Sequence, residues 1–391
     1  MSFPQNFLWG ASTAAHQIEG NNVNSDWWAR EHGHLSGGER IEQPSGDAAD
    51  SFHRYPEDMR LLRDAGLDSY RFSIEWARIE PEPKFFSLAM LDHYKRMIDT
   101  ARDLGLTPMV TLHHFTNPVW FARDVTWNDP RAVDHFARYV QRLLPILSDV
   151  ELVCTINEPN MLATIMAPAN RAWSGIGIPP GDEKITEHLI SAHQLGTALV
   201  RSVGKKAGWS IATQAYIPEP GFEDAADAHA SSREDVFLDA ASGDDWVGIQ
   251  AYTRTRIGVG GPLPIPDGAE TTLTGWEFYP GALEYGIRRS WERNGVPIYV
   301  TENGVATADD SRRIAYTQGA LEGVAAAISD GVDVRGYLHW SALDNYEWGS
   351  YAPTFGLIGW DRTTFERQPK PSLAWLGEVA KRNGLADSVV E

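Results

Sequence analysis

The feature of this sequence that most constrains its fold is a regular alternation of short apolar runs with longer helical stretches. Eight runs rich in β-branched and aromatic residues recur along the 391 residues, and each predicts a β-strand. They are Phe7–Thr13, Ser69–Trp76, Thr107–Phe115, Leu152–Asn157, Trp209–Ala215, Trp246–Tyr252, Pro297–Glu302 and Val334–Ser341. Strands that alternate with helices indicate βαβ units and a parallel sheet.

The stretches between these runs have helical spacing of their apolar residues. The predicted helices are Ala48–Asp64, Leu88–Leu104, Arg131–Leu147, Ile185–Val203, Gly281–Arg293, Ser311–Ser329 and Pro371–Arg382. Pro56 is expected to bend or split the first of them. Eight such units predict an α/β fold, a single (β/α)8 TIM barrel that spans residues 1–391 as one domain. An open doubly wound sheet is the alternative, but no Gly-rich phosphate turn follows the first strand.

Charge and composition exclude several functional classes. Lys and Arg total 34 against 53 Asp and Glu, and the net charge of −19 repels phosphate backbones and anionic membrane surfaces. We therefore expect no nucleic-acid partner and no membrane association. No apolar run approaches the ~20 residues of a membrane span, and the amino terminus lacks a basic stretch followed by an apolar core. A cytoplasmic location is expected.

Two carboxylates stand at the ends of predicted strands, where the active site of such a barrel lies. Glu158 follows strand four and Glu302 ends strand seven, so they meet only if both strands belong to one closed barrel. Paired carboxylates are the minimal apparatus for glycoside hydrolysis, because one protonates the leaving oxygen while the other attacks the anomeric carbon or activates water. For either Glu considered alone, a solvated loop end or a salt bridge is the favoured interpretation, and the neighbouring residues change that balance.

Arg71 is a charge inside an apolar predicted strand. A buried guanidinium needs an anionic partner to offset its desolvation, and we expect Glu302 to be that partner, with the hydroxyl of Tyr252 as a second support. An ordinary surface carboxylate is the alternative partner. In the first arrangement Glu302 stays ionised, and its charge raises the proton affinity of Glu158, which can then act as an acid.

Aromatic and histidine residues add to this picture. Fifteen Trp residues are many for a chain of this length, and aromatic faces can stack on the C–H faces of sugar rings. Most are expected in the core, but Trp340 and Trp348 flank polar residues after strand eight, and Glu347 offers an acceptor for two hydroxyls. His113 and His114 point to opposite faces of one strand, so neither a metal nor a cofactor is expected. His114 is expected to bind a hydroxyl. A Ser-His-Asp hydrolase would need a Gly-x-Ser-x-Gly turn after a strand, and none is found in that setting.

Five motifs together resemble the family-one glycoside hydrolases, the β-glucosidase and β-galactosidase group, over nearly the whole chain. They are Phe7–Thr13 with Gln17–Gly20, Tyr70–Ile74, Thr155–Pro159, Thr301–Gly304 and Trp340–Trp348. This resemblance implies a retaining exo-β-glycosidase that hydrolyses unphosphorylated β-D-glucosides, β-D-galactosides or β-D-fucosides, with transglycosylation as a variant. Its partner would be a small-molecule β-glycoside or an oligosaccharide, and the sequence leaves the oligomeric state open.

The same resemblance implies roles for the candidate residues. Glu302 would be the nucleophile and Glu158 the acid and base, with the two carboxyl groups ~5–5.5 Å apart. Arg71 and Tyr252 would support the nucleophile. The residues that would hold the non-reducing sugar are Gln17, His114, Asn157, Trp340, Glu347 and Trp348.

Some positions depart from the pattern of this family. Gln250-Ala251-Tyr252 stands where Asn-Tyr-Tyr is usual, Phe115 where Trp is common, and His16 where Tyr is common. The stretch between strands five and six looks short, which predicts an open leaving-group side. Two other classes remain as alternatives. A catalytically silent sugar-binding relative would usually lose one carboxylate, and an isomerase on the same barrel would need a metal or phosphate site.

Overall fold

The computed structural model describes residues 1–35, 41–167, 170 and 177–386, and eight parallel strands form a closed barrel within them. The strands are β1 (Leu8–Ser12), β2 (Ser69–Ser73), β3 (Thr107–Thr111), β4 (Leu152–Asn157), β5 (Lys206–Pro218), β6 (Val247–Gly258), β7 (Ile298–Glu302) and β8 (Val334–Trp340). Each strand pairs with its neighbours along the chain, and the pairing of β1 with β8 closes the barrel. The predicted (β/α)8 fold is confirmed, while the extent of the domain over residues 1–391 stays a prediction.

Helices cover the outside of the barrel, as the apolar spacing predicts. The longer ones are α1 (Ser51–Ala65), α2 (Leu88–Asp103), α3 (Arg131–Leu143), α4 (Glu183–Ser202), α5 (Ala282–Asn294), α6 (Asp310–Ser329) and α7 (Pro371–Arg382). Pro56 does not split α1, which runs unbroken through it. Pro56 is the sixth residue of this helix, so its missing N–H removes one hydrogen bond near the amino-terminal end and the remaining turns stay paired.

Shorter helices lie in the connections between the strands. They are Ala15–Ile18, Asp26–Glu31, Trp76–Ile79, Val119–Asp124, Pro159–Ile165, Glu223–Ala230 and Val236–Ala240, with a 3₁₀ turn at Leu144–Leu147 and at Ala241–Gly243 and a π turn at Ser231–Asp235. The connection from β5 to β6 is therefore helical. No helix in the described ranges is both long and apolar enough to cross a membrane.

Two strands are longer than the sequence predicts. β5 has 13 residues and β6 has 12, and they stay paired from Ala215↔Arg254 to Pro218↔Ile257. A two-residue strand, Gly261–Pro262, then turns back against β6. The predicted strands end at Ala215 and Tyr252. The apolar run gives way to alternating Thr and Arg after Tyr252, whereas Tyr216 and Ile217 still continue it after Ala215. Pairing between the two strands themselves, which no local pattern encodes, carries them further.

The interior of the barrel is filled by apolar side chains below the active-site end. Met109, Leu152, Cys154, Trp246, Tyr299 and Leu338 form this buried cluster. Arg71 lies next to it, with Nη2 4.0 Å from the Cys154 sulfur. The buried position of Cys154 agrees with a packing role for the one cysteine of the chain.

Candidate active site

A cavity of about 550 Å³ opens at the carboxyl ends of the barrel strands. Parallel strands in a closed barrel all end at one rim, so residues far apart in sequence meet there. Eight of the ten predicted site residues line this cavity: Gln17, His114, Glu158, Tyr252, Glu302, Trp340, Glu347 and Trp348. Arg71 and Asn157 are fully buried. Arg71 contacts Glu302 and Asn157 contacts His114, and these two partners line the cavity.

The carboxylate of Glu302 is held at both oxygens. Arg71 donates from Nη1 to Oε1 at 2.7 Å, and the hydroxyl of Tyr252 donates to Oε2 at 2.6 Å. The side chain of Arg71 is 0% exposed, so its contact with Glu302 is a buried ion pair. The contact expected from the sequence is therefore present. Its effect is to hold the carboxylate in one orientation and to favour its ionised form.

Glu158 has a different environment, although it is the same type of side chain. It leaves β4 with a φ of 45°, a left-handed turn that leads directly into the helix Pro159–Ile165. No side chain of the described ranges donates a hydrogen bond to its carboxyl group. Desolvation raises the pKa of Glu158 well above the usual value, and the negative charge of Glu302 acts in the same direction.

Burial also raises the pKa of Glu302, but Arg71 and Tyr252 oppose that effect. Of the two carboxyl groups, Glu158 therefore holds its proton to higher pH. One neutral acid and one carboxylate in a shared cavity form the arrangement that acid-assisted displacement requires.

Asn157 joins three side chains beside this pair. Its Oδ1 accepts hydrogen bonds from Arg71 Nη2 at 2.5 Å and from Gln250 Nε2 at 2.9 Å. Its Nδ2 lies 3.2 Å from Nε2 of His114. Burial, with the nearby charge of Arg71, lowers the pKa of His114 well below the usual value, so the imidazole is neutral. Gln250, which departs from the family pattern, thus helps to orient Asn157.

Aromatic rings and one acid, Glu347, form another wall of the cavity. Trp340 is stacked on His114 with ring centroids 5.9 Å apart, and its Nε1 donates to Glu347 at 3.3 Å. Trp348 packs against Trp27 at 4.7 Å and edge-on against Phe115 at 5.2 Å. Burial, opposed by the Trp340 hydrogen bond, raises the pKa of Glu347 to about 8. Flat rings with polar groups at their edges suit a sugar ring.

Gln17 contributes to the same wall from the segment after β1. Its Nε2 donates to the Tyr346 carbonyl at 2.9 Å, while its buried Oε1 has no partner among the described residues. The amide is therefore fixed in orientation by one end and has a free acceptor at the other. A buried polar atom without a partner is costly, and a ligand hydroxyl can satisfy it.

Several polar residues that follow predicted strands do not reach the cavity. His16 lies one layer behind, stacked on Trp348 at 5.8 Å and hydrogen-bonded to Glu31 at 2.9 Å. Glu19 pairs with Arg78. Asp344 pairs with Lys370 at 2.7 Å. Each has a buried or half-buried partner of opposite charge or a ring contact, so these side chains support the loops around the cavity.

Sequence reasoning missed the other side of the cavity. It is lined by Met161, Ile165 and Ile178 after β4, by Gln214 on β5, and by Leu273 and Trp276 after β6. Single apolar residues in a short helix or a loop, and one Gln on a strand, carry no distinguishing signal, and Trp276 is one Trp among fifteen. Only the exposure of these side chains in the folded chain distinguishes them. In the part of the chain that the structure describes, no group of three or more His, Cys, Asp or Glu could hold a metal ion.

The barrel, the two carboxylates of unequal proton affinity and the aromatic wall define a glycosidase-like hydrolase. The family described as Glycosyl hydrolase family 1 matches residues 1–257 and 265–385. This chain belongs to that family and is an O-glycosyl hydrolase.

Individual relatives agree with the family assignment. The chain is 31% identical to a bifunctional β-D-glucosidase/β-D-fucosidase of Bifidobacterium breve, with 96% of this chain and 97% of the relative covered. It is 29% identical to β-glucosidase A of Thermotoga maritima, over 98% of this chain and 99% of the relative. Among solved structures, the β-glycosidase BGL167 is 44% identical with a TM-score of 0.90, over 99% of both chains.

Proposed function

We propose that this glycosyl hydrolase is a retaining exo-β-glycosidase that hydrolyses unphosphorylated β-D-glucosides and also β-D-galactosides or β-D-fucosides. The observation that carries the proposal is the unequal pair of carboxyl groups. Arg71 and Tyr252 bind the two oxygens of Glu302, whereas the carboxyl group of Glu158 shares its cavity and has a raised pKa. The names of relatives support the substrates, since they include a β-glucosidase/β-fucosidase and a β-galactosidase of Sulfolobus acidocaldarius.

The mechanism follows from this pair. Glu302 attacks the anomeric carbon and forms a glycosyl-enzyme, while Glu158 donates its proton to the glycosidic oxygen as the bond to the leaving group breaks. The Glu158 carboxylate then takes a proton from water, which attacks the same carbon and releases the sugar and Glu302. A second sugar in place of water would give transglycosylation. Two displacements retain the anomeric configuration.

The sugar is held by groups on the opposite wall. Trp340 and Trp348 provide faces for stacking, and Gln17, His114 and Glu347 provide polar contacts for hydroxyls. Asn157 serves the 2-hydroxyl. No Lys or Arg of the described ranges lines this cavity, so it offers no cation to bind a phosphate. This favours unphosphorylated sugars.

The remaining expectations belong to the same proposal. The ligand is a β-glycoside or an oligosaccharide, and the location is cytoplasmic. A catalytically silent sugar-binding relative is disfavoured, because both carboxylates and the two groups that support Glu302 are present. An open leaving-group side stays a prediction.

A panel of nitrophenyl α- and β-glycosides tests the proposal, with glucoside, galactoside, fucoside, mannoside and a phosphorylated glucoside. We expect release from the β-glucoside, and loss of several orders of magnitude in kcat with Glu302→Gly. Azide should partly restore turnover in that variant by attacking the anomeric carbon in place of the missing carboxylate. Glu366→Gly, at an exposed loop position, is the control. Normal turnover by Glu302→Gly would overturn the nucleophile assignment.

A further inference from the structure

A second cavity of about 250 Å³ lies between the outer halves of β5 and β6 and the segment 263–277. It adjoins the catalytic cavity, because the two share the lining residues Ile178, Gln214, Thr253 and Trp276. These shared residues follow β4 or lie on and after β5 and β6. The residues proposed to hold the sugar lie mainly on the opposite side of the rim, after β1, β3 and β8. The second cavity therefore continues the path that a leaving group takes away from the cleaved bond.

Trp276 forms a flat wall at the junction of the two cavities. Its side chain is 41% exposed, although large aromatic residues are usually buried. The ring contacts Tyr252 and Phe355, with centroids 5.6 Å and 6.4 Å away. These contacts restrict the orientation of the indole and leave part of it open to a ligand. An exposed, fixed aromatic face is suited to stacking on the C–H face of a sugar.

Gln214 provides an oriented hydrogen-bond donor at the same junction. Its backbone N–H donates to Glu234 Oε1 at 2.7 Å, and its side-chain Oε1 accepts from the hydroxyl of Thr255 at 2.9 Å. Glu234 is buried, so this hydrogen bond fixes the backbone at Gln214 from the buried side. The amide Nε2 donates to none of the described residues. Since its partner oxygen is already bound, the amide is preorganised to donate to a ligand acceptor such as a hydroxyl oxygen.

The charged residues around the second cavity are already paired. Arg254 donates to the two carboxylate oxygens of Glu277 at 3.0 Å and 2.6 Å, and Arg256 pairs with Glu219. The charges of both guanidinium groups are thus offset by neighbouring carboxylates, so the cavity has little attraction for an anion. Its polar edges favour a neutral ligand with many hydroxyl groups. A purely apolar ligand would bury these edges without giving them partners.

We propose that the second cavity binds the second sugar unit of the leaving group, so that the enzyme prefers β-linked trisaccharides to disaccharides. The proposal rests on the proposed exo-β-glycosidase activity. The first unit of the leaving group lies in the catalytic cavity beside Glu158, and the second stacks on Trp276 and accepts a hydrogen bond from Gln214. The ligand is therefore an oligosaccharide with at least three units.

The test compares kcat/KM for disaccharides and trisaccharides in the β-1,3-, β-1,4- and β-1,6-linked glucose series, measured as glucose release. We expect the trisaccharide to exceed the disaccharide by about tenfold in at least one series, from one additional hydrogen bond and one stacking contact. Ile265→Trp fills the second cavity, because Ile265 lines that cavity and not the catalytic one. It should reduce the ratio to about one. Gln214→Met removes the amide donor and should reduce the ratio of trisaccharide to disaccharide kcat/KM about threefold.

Val259→Trp is the matched control. Val259 lies just before the turn back to Gly261–Pro262, is 83% exposed and lines neither cavity, so the parent ratio should be kept. Circular dichroism of each variant reports that it has folded. If Ile265→Trp does not fold, Gln214→Met still decides the outcome.

The possible failures are distinguishable. A ratio of about one for the parent enzyme in all three series would overturn the inference, and so would a tenfold ratio that survives in both variants. A rise of kcat/KM with alkyl chain length in alkyl β-glucosides, without a rise for trisaccharides, would assign the cavity to apolar leaving groups instead. If nitrophenyl β-glycosides are also not hydrolysed, the proposed function itself has failed.

Discussion

Residue scale. Two glutamates at the same barrel rim differ because their neighbours differ. Glu302 contacts a buried guanidinium and a hydroxyl, and these stabilise its charge. Glu158 has no such partner and lies within the field of that charge, so the proton is retained. Environment, not residue type, makes the proton affinities of the two carboxyl groups differ.

The first prediction concerns the acid. Glu158→Ala should reduce kcat/KM for alkyl β-glucosides by about 10²–10⁴-fold, because their leaving groups need a proton. Dinitrophenyl β-glucoside, whose leaving group needs none, should lose much less in the first step. Glu151→Ala, at an exposed position immediately before β4, is the control. Equal losses for both substrates would contradict the role of Glu158 as the acid.

The second prediction concerns the coupling between the two carboxyl groups. Glu302→Gln removes a negative charge near Glu158, so ionisation of Glu158 becomes easier and its pKa should fall. A ¹³C NMR titration of labelled glutamate side chains measures this shift. In the parent enzyme, kcat/KM should decline as the pH rises through the pKa of Glu158, since the protonated form is the active acid. An unchanged or raised pKa in the variant would show that Glu302 does not control the proton on Glu158.

Element scale. The ends of β7 and β8 approach each other closely just beyond Glu302. The backbone N–H of Trp340 donates to the Asn303 carbonyl at 2.9 Å. At Gly304 a Cβ atom would overlap the carbonyl oxygen of Trp340. Glycine is needed here for close approach of two backbones, which keeps Trp340 near Glu302.

The third prediction follows from that contact. Gly304→Ala should displace the end of β8 and with it Trp340, and reduce kcat/KM for nitrophenyl β-glucoside by a factor on the order of 10². Gly243→Ala is a matched control, because no atom lies within 4 Å of the Cβ position at Gly243. Steady-state kinetics and circular dichroism of both variants give the comparison. Equal activity of the two variants would mean that the approach of β7 to β8 does not position the sugar-binding wall.

Whole molecule. The barrel is closed between its first and last units, and a buried ion pair lies at that seam. Arg367 donates to Asp58 of α1 at 2.6 Å and 3.1 Å, and both side chains are 1% exposed. The backbone N–H of Phe3 also donates to Asn383 at 3.0 Å, after α7. Contacts between the ends of the chain therefore complete the cylinder that brings β1 and β8 together.

The fourth prediction is made for this seam. Arg367→Met should lower the free energy of unfolding by about 3–5 kcal/mol, because it leaves the carboxyl group of Asp58 buried without its cation. Arg335→Met breaks the exposed pair with Asp333 and should change the free energy of unfolding by at most about 1 kcal/mol. Urea denaturation measures both. The double variant Asp58→Leu with Arg367→Met should recover part of the lost free energy of unfolding. Equal free energies of unfolding for Arg367→Met, Arg335→Met and the double variant would contradict a stabilising role for the pair of Asp58 and Arg367.

From the sequence alone we could predict the number and order of the eight strands, the (β/α)8 class and the membership of the family, but not the outer halves of β5 and β6. These properties depend on local patterns, since apolar periodicity and strand-end motifs can be identified without knowing what lies opposite. The sequence also named eight residues that line the cavity at the carboxyl ends of the strands, because their types are unusual next to apolar runs. The bounds of α7 agree with the predicted Pro371–Arg382.

Only the tertiary structure decided which of those residues meet. Barrel closure and side-chain packing bring Arg71 into contact with Glu302 and give Glu158 its separate environment. They also place His16 behind Trp348. The outer halves of β5 and β6 and the second cavity come from pairing between strands, which no single run encodes. Contacts between residues distant in sequence depend on register and packing, so only the folded chain defines them.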